Sequence, residues 1–63
     1  MTRYYFYAYT KSPLFSKYDV DIHAGDYVEY EGKLYEVERR VFVESVEKDN
    51  LFKVYLRIIG DVQ

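Results

Sequence analysis

The chain has 63 residues, no Cys and a formal net charge of -2, from 9 Lys and Arg against 11 Asp and Glu. That length holds one small domain, residues 1–63, with a single core. The missing cysteines exclude disulfides and thiolate metal sites, and the acidic balance lacks the basic excess of a duplex-DNA binder. What the chain has instead is aromatic mass, nine Tyr and four Phe with no Trp. No run approaches the roughly 18 apolar residues of a membrane-spanning helix. Met1 to Tyr7 lacks the apolar stretch and cleavage site of a secretory signal. The expectation is a soluble, cytoplasmic protein.

In chain order, Arg3 to Thr10 reads as the first strand, because aromatic side chains favour a pleated surface. Side chains alternate faces along a strand. Tyr4, Phe6 and Ala8 therefore share one face, with Phe6 and Ala8 suited to the core, and Tyr5, Tyr7 and Tyr9 share the other. Lys11-Ser12-Pro13 breaks the strand, since Pro13 cannot donate to a ladder. Leu14 and Phe15 are apolar in what reads as a loop, and at least one is expected to plug the barrel from below. Tyr18 to Ile22 alternates as a short second strand or an extended arm, with Val20 and Ile22 inward and Asp19, Asp21 and His23 wet.

Ala24-Gly25-Asp26 is a turn in which Gly25 supplies a positive φ. Tyr27 to Glu31 follows, with Val28 and Tyr30 inward. The next reversal is a two-residue loop, because only an even loop keeps Val28 and Tyr30 on the face of Tyr35 and Val37. Glu31-Gly32 is preferred over Gly32-Lys33, which would set Glu29 against Glu36. Leu34 to Val46 is long, and Arg39 and Phe42 fall out of phase with Tyr35, Val37, Val41 and Val43. A bulge or bend near Arg39-Arg40 resolves the conflict. After a polar turn at Glu47 to Asn50, Leu51 to Ile59 is the last strand, with Phe52, Val54, Leu56 and Ile58 on one face and Lys53, Tyr55 and Arg57 on the other. Gly60 to Gln63 forms a tail.

Short strands punctuated by Gly and Pro, with no helical period, indicate an all-β fold: a small SH3-like barrel or a strongly bent antiparallel sheet of about five strands. The expected core is Phe6, Ala8, Val20, Ile22, Val28, Tyr30, Tyr35, Val37, Val41, Val54, Leu56 and Ile58. The pattern apolar-x-x-Gly-Asp-x-Val-x-x-x-Gly-x-x-Tyr-x-Val, from Ile22 to Val37, resembles the entry hairpin of SH3-like small barrels. It is similar to a stretch in small phage and prophage proteins, including head-tail joining components. The resemblance covers about a quarter of the chain. It implies the fold and a mobile-element origin, with a place in the virion as the alternative to the cytoplasm. It carries over no functional residues, because the Trp pair and acidic tyrosine motif of peptide-binding SH3 domains are missing.

Few residues suggest chemistry. Asp19, Asp21 and His23 share one face with Asp26 close behind, but ligands two apart on a strand are about 7 Å apart, too far to share an ion without a bend. They read as a solvated polar face. One His, scattered serines and no Cys supply no nucleophile constellation, and three dispersed glycines form no phosphate loop. The expectations are no enzyme activity, no catalytic residue, no metal and no cofactor.

The suggestive constellation is Tyr5, Tyr7 and Tyr9 between Arg3 and Lys11. Tyrosine with arginine is enriched at protein interfaces, and bases stack on such platforms. The purely structural alternative packs Tyr5 and Tyr9 under the Leu14-Phe15 loop. The leading expectation is a non-enzymatic protein-interaction or structural module working through this strand. The alternatives are a single-stranded nucleic-acid binder, disfavoured by net charge, and a small regulatory or inhibitory protein acting on a host enzyme. Self-association is a further expectation, since an aromatic strand left at an edge pairs with a second copy.

Overall fold

A computed structural model describes residues 1–62, the side chain of Val46 excepted; Gln63, the last residue of the expected tail, lies outside the described residues. It contains five strands and no helix: β1 (Thr2–Tyr7), β2 (Phe15–Tyr18), β3 (Tyr27–Tyr30), β4 (Lys33–Val46) and β5 (Asp49–Asp61). They form one sheet in the order β2-β1-β5-β4-β3, curled into a half-barrel. The all-β expectation of about five strands holds. The sheet is mixed rather than wholly antiparallel, because β1 lies parallel to β5 while the other three pairings are antiparallel. Among the described residues no helix is long and apolar enough to cross a membrane.

The reversal between β3 and β4 is the two-residue loop Glu31-Gly32, since Tyr30 pairs with Lys33. Both loop residues have positive φ, 49° and 78°, as a tight hairpin whose turn matches strand twist requires. The register sets Glu29 opposite Leu34 and keeps it away from Glu36. The second reversal is equally short. Val46 pairs with Asp49 across Glu47-Lys48, so Asp49 and Asn50 belong to β5 and not to the turn.

Three elements differ from expectation. First, β1 ends at Tyr7 rather than Thr10. Tyr9 has φ 59°, a left-handed conformation that no extended strand accommodates. Second, β2 is Phe15 to Tyr18 rather than Tyr18 to Ile22. At its end Asp19 turns the chain with φ 50°, its amide donating to the Thr2 carbonyl while its carboxylate accepts from the Thr2 amide, each at 2.8 Å. Residues 20–26 then run as an extended arm to β4, where Gly25 N donates to the Val37 carbonyl at 2.8 Å and Val37 N to the Asp26 carbonyl at 2.8 Å. Third, β5 continues through Gly60 to Asp61.

Alternate residues along β1, β4 and β5 turn to the concave side and meet there. Tyr4, Phe6, Tyr35, Val37, Val54 and Leu56 are buried. Ala8, Leu14, Phe15, Val20, Ile22, Val28, Tyr30 and Phe52 pack against them partly buried. Phe15 is the plug: its ring stacks on Phe6 at 4.4 Å and on Tyr30 at 4.5 Å between centroids, and the Tyr30 hydroxyl donates to the Leu14 carbonyl at 3.1 Å. These contacts draw β2 and β3, the two ends of the sheet order, toward each other.

Two expected core residues are not core. Val41 is 39% exposed because the ladder slips between Val37 and Arg39. One extra residue inverts the period-2 alternation, so Arg39 and Val41 face the convex side and Phe42 the concave one. Ile58 is 44% exposed. It sits opposite Tyr35 on the correct face, but β1 stops at the Tyr7–Tyr55 pair and leaves β5 uncovered beyond it.

Candidate functional site on the convex sheet face

The convex face is built by the residues that alternate with the core. On β1 they are Arg3, Tyr5 and Tyr7. The register places Tyr18 of β2 beside Arg3, and Leu51, Lys53 and Tyr55 of β5 beside Arg3, Tyr5 and Tyr7. Across β5, Arg39 of β4 lies opposite Tyr55 and Val41 opposite Lys53. Cations and phenol rings are therefore interspersed across β2, β1, β5 and β4.

The rings and charges touch. The Arg3 guanidinium lies 4.9 Å from the Tyr18 ring centre and 5.9 Å from that of Tyr5, and its Nη1 donates to the Tyr5 hydroxyl at 2.9 Å. That hydrogen bond is the main reason the Arg3 pKa lies above its ordinary value. Lys53 Nζ sits 5.5 Å over Tyr7, Arg39 sits 4.6 Å over Tyr55, and Tyr7 stacks on Tyr55 at 5.8 Å. Cations over ring faces are attracted by the ring quadrupole. Among the described residues Arg3, Arg39 and Lys53 form no ion pair, whereas Lys33 pairs with Asp61 at 2.8 Å and Arg57 with Glu36.

The five residues expected to form the site divide in two. Arg3, Tyr5 and Tyr7 stand in one row on β1, half-buried by their cross-strand neighbours. Tyr9 and Lys11 lie beyond the strand end, yet they line one open cleft of about 660 Å³ with Tyr7, Glu38, Arg39 and Tyr55. Arg3 and Tyr5 border a second hollow of about 280 Å³ beside Glu47, Asp49 and Leu51. Tyr9 is 72% exposed. Phe15 packs on the opposite, concave side of β1, so the Leu14-Phe15 loop does not bury Tyr5 or Tyr9.

Tyr18, Arg39, Lys53 and Tyr55 were not legible as part of this site. The alternation of β5 puts Lys53, Tyr55 and Arg57 on one face, but only the parallel β1–β5 register brings Lys53 and Tyr55 beside the tyrosine row. For Arg39 the bulge had first to turn it outward.

The Asp19, Asp21, His23 and Asp26 group lies along the arm, and its members have local hydrogen bonds. Asp21 Oδ1 is 2.6 Å from His23 Nε2, Asp26 Oδ2 accepts from the His23 amide at 2.9 Å, and Asp19 closes onto Thr2. Among the described residues no three His, Asp or Glu side chains converge to hold a metal ion. β1 lies between β2 and β5, so the tyrosine strand offers no free edge. A further apolar cleft of about 350 Å³ lies where β2 and β3 approach, bordered by Phe6, Phe15, Val20 and Val28. Comparison of the chain with known protein families, with curated proteins and with solved structures finds no match.

Proposed function

We propose that this domain is a non-enzymatic interaction module that binds an acidic protein segment across its convex face. One observation carries the reading: Arg3, Arg39 and Lys53 are fixed over tyrosine rings without carboxylate partners among the described residues. A half-buried ring holds each cation at a defined position at little further entropic cost, the preorganisation that improves affinity. The tyrosine hydroxyls add hydrogen-bond capacity between the charges. A protein partner suits this face better than a single-stranded nucleic acid. Arg3 already lies over Tyr5, and Lys53 and Tyr55 take up the Tyr7 ring, so little ring face is left for a base to stack on. The nucleic-acid reading rests on Tyr9 alone, an exposed ring beside Lys11. On the resemblance of Ile22 to Val37 the setting is a phage or prophage protein, acting in the cytoplasm or the virion.

The test is titration of a labelled peptide of spaced glutamates and of a labelled oligothymidine, each at low and high salt. The peptide binds at low salt, and Tyr5→Ser with Tyr7→Ser weakens it about 30-fold, as expected when interface rings worth about 2 kcal/mol are lost. Equal binding by the double variant defeats the assignment to this face, and tighter binding of the oligothymidine than of the peptide favours the nucleic-acid reading.

A further inference from the structure

The β4–β5 hairpin overshoots the rest of the sheet. β3 pairs with β4 only from Lys33 to Glu36. The arm adds its two hydrogen bonds at Val37, and the Arg40 guanidinium reaches back to the Ile22 carbonyl at 3.3 Å. Beyond that point β4 has β5 on one side and no backbone partner on the other among the described residues. The molecule is correspondingly elongated, 40 × 23 × 17 Å. This open edge carries three consecutive apolar residues, Val41, Phe42 and Val43, exposed by 39%, 54% and 40%. Neither Pro nor Lys guards it, although natural edges use both against unwanted pairing.

We propose that two copies of the chain pair through this edge, β4 against β4, antiparallel about a two-fold axis at Val41. The occupant is a second copy because the edge is complementary to itself. Strand residues directly opposite one another point to the same face. Arg39, Val41 and Glu44 are all convex, since they pair with Tyr55, Lys53 and Leu51 of β5; Arg40 and Phe42 are concave, opposite Val54 and Phe52. With Val41 opposite the partner's Val41, Phe42 meets the partner's Arg40 on the concave face. The ladder slips again between Phe42 and Glu44, leaving Val43 as the extra residue. That bulge decides the match. Without it Glu44 would fall opposite the partner's Glu38; with it Glu44 falls opposite the partner's Arg39, and the two-fold repeats the pair. Opposite charges across strands stabilise pairing and like charges oppose it. Each copy presents the same patch to the other, as a closed two-fold interface requires.

Sedimentation equilibrium over a dilution series tests this with the full chain. The wild type runs at twice the chain mass when concentrated and falls to the chain mass on dilution. Val41→Lys, which sets two lysines against each other on the axis, and the single reversals Arg39→Glu and Glu44→Arg, each run at the chain mass at every concentration. The double reversal Arg39→Glu with Glu44→Arg restores the dimer. Ile59→Lys, at a similarly exposed position on β5, leaves it intact. Far-ultraviolet circular dichroism checks that every variant is folded; all substituted side chains are exposed. A wild type at the chain mass throughout, a dimeric Val41→Lys, or a double reversal that stays monomeric overturns the proposal.

Discussion

The two faces of β1 and β5 use the same residue types for opposite ends. On the concave side Tyr4 and Phe6 meet Phe52 and Val54 in the parallel register, and their rings are buried. On the convex side Tyr5 and Tyr7 meet Lys53 and Tyr55 and stay half-exposed beneath cations. The difference lies in what covers them. Phe15, the arm through Val20 and Ile22, and Tyr30 close over the concave face, while no element of the described chain crosses the convex one. An aromatic side chain in a sheet is thus core or surface according to what the connections between strands cover, and here the arm of residues 20–26 closes over the concave side.

The largest effect expected from breaking this contrast is in the core. Phe6→Ala removes a ring that is 2% exposed and stacked on Phe15, at a cost of about 3–5 kcal/mol. A chain of this length has a total stability of roughly 3–9 kcal/mol, so thermal or urea unfolding followed by circular dichroism should find this variant largely unfolded or close to it. Tyr5→Ser with Tyr7→Ser is the matching change on the other face. It should cost about 2 kcal/mol for two half-buried rings and leave a cooperative, folded domain whose peptide binding is about 30-fold weaker. Unfolding of that double variant to the extent of Phe6→Ala would erase the distinction between the faces.

Smaller changes sharpen it. Tyr9 adopts a left-handed conformation although its ring is almost free. Tyr9→Gly should raise stability by about 0.5–1 kcal/mol by removing that strain while weakening partner binding, and unfolding and peptide titrations read the two separately. A loss of stability would mean that the exposed ring helps hold the sheet end.

The smallest effect is electrostatic, at the exposed Lys33–Asp61 pair that ties β4 to the end of β5. The hydrogen bond from Lys33 holds the Asp61 carboxyl below its ordinary value and raises Lys33 in turn. The stability linked to Asp61 is therefore present above its unfolded pKa and is lost as pH falls through the lower folded value. That linked to Lys33 is present below its unfolded pKa and is lost as pH rises through the higher folded one. Asp61→Asn should flatten the acid limb of a stability-pH profile slightly at low salt. The difference should vanish at high salt, because exposed pairs are screened.

Much of the fold was legible in local chemistry. Glu31-Gly32 was readable as a two-residue loop because strand alternation permits only even loops there and the charge on Glu36 chooses between them. The need for a bulge near Arg39 is readable from the phase of the valines, but its position at residue 38 is not; any one-residue bulge before Val41 turns that side chain outward, so the expected bend is itself at odds with a core Val41. Of the candidate site, the row Arg3, Tyr5 and Tyr7 could be read from alternation within one strand. Its partners Lys53, Tyr55 and Tyr18 could not, because cross-strand neighbours depend on register between segments far apart in the chain.

By itself the sequence determined β3, most of β1, β4 and β5, the Glu31-Gly32 loop and the inward parity of Phe6, Val37, Val54 and Leu56, since hydrophobic period and turn chemistry act over a few residues; it did not place β2, which is Phe15 to Tyr18. Only the tertiary structure decided that β1 runs parallel to β5, that residues 20–26 close one face and leave the other bare, and that β4 projects with an open edge. Those outcomes depend on which distant segments pair and which face the connections cross. They also decided whether each tyrosine of β1 is core or exposed on the surface.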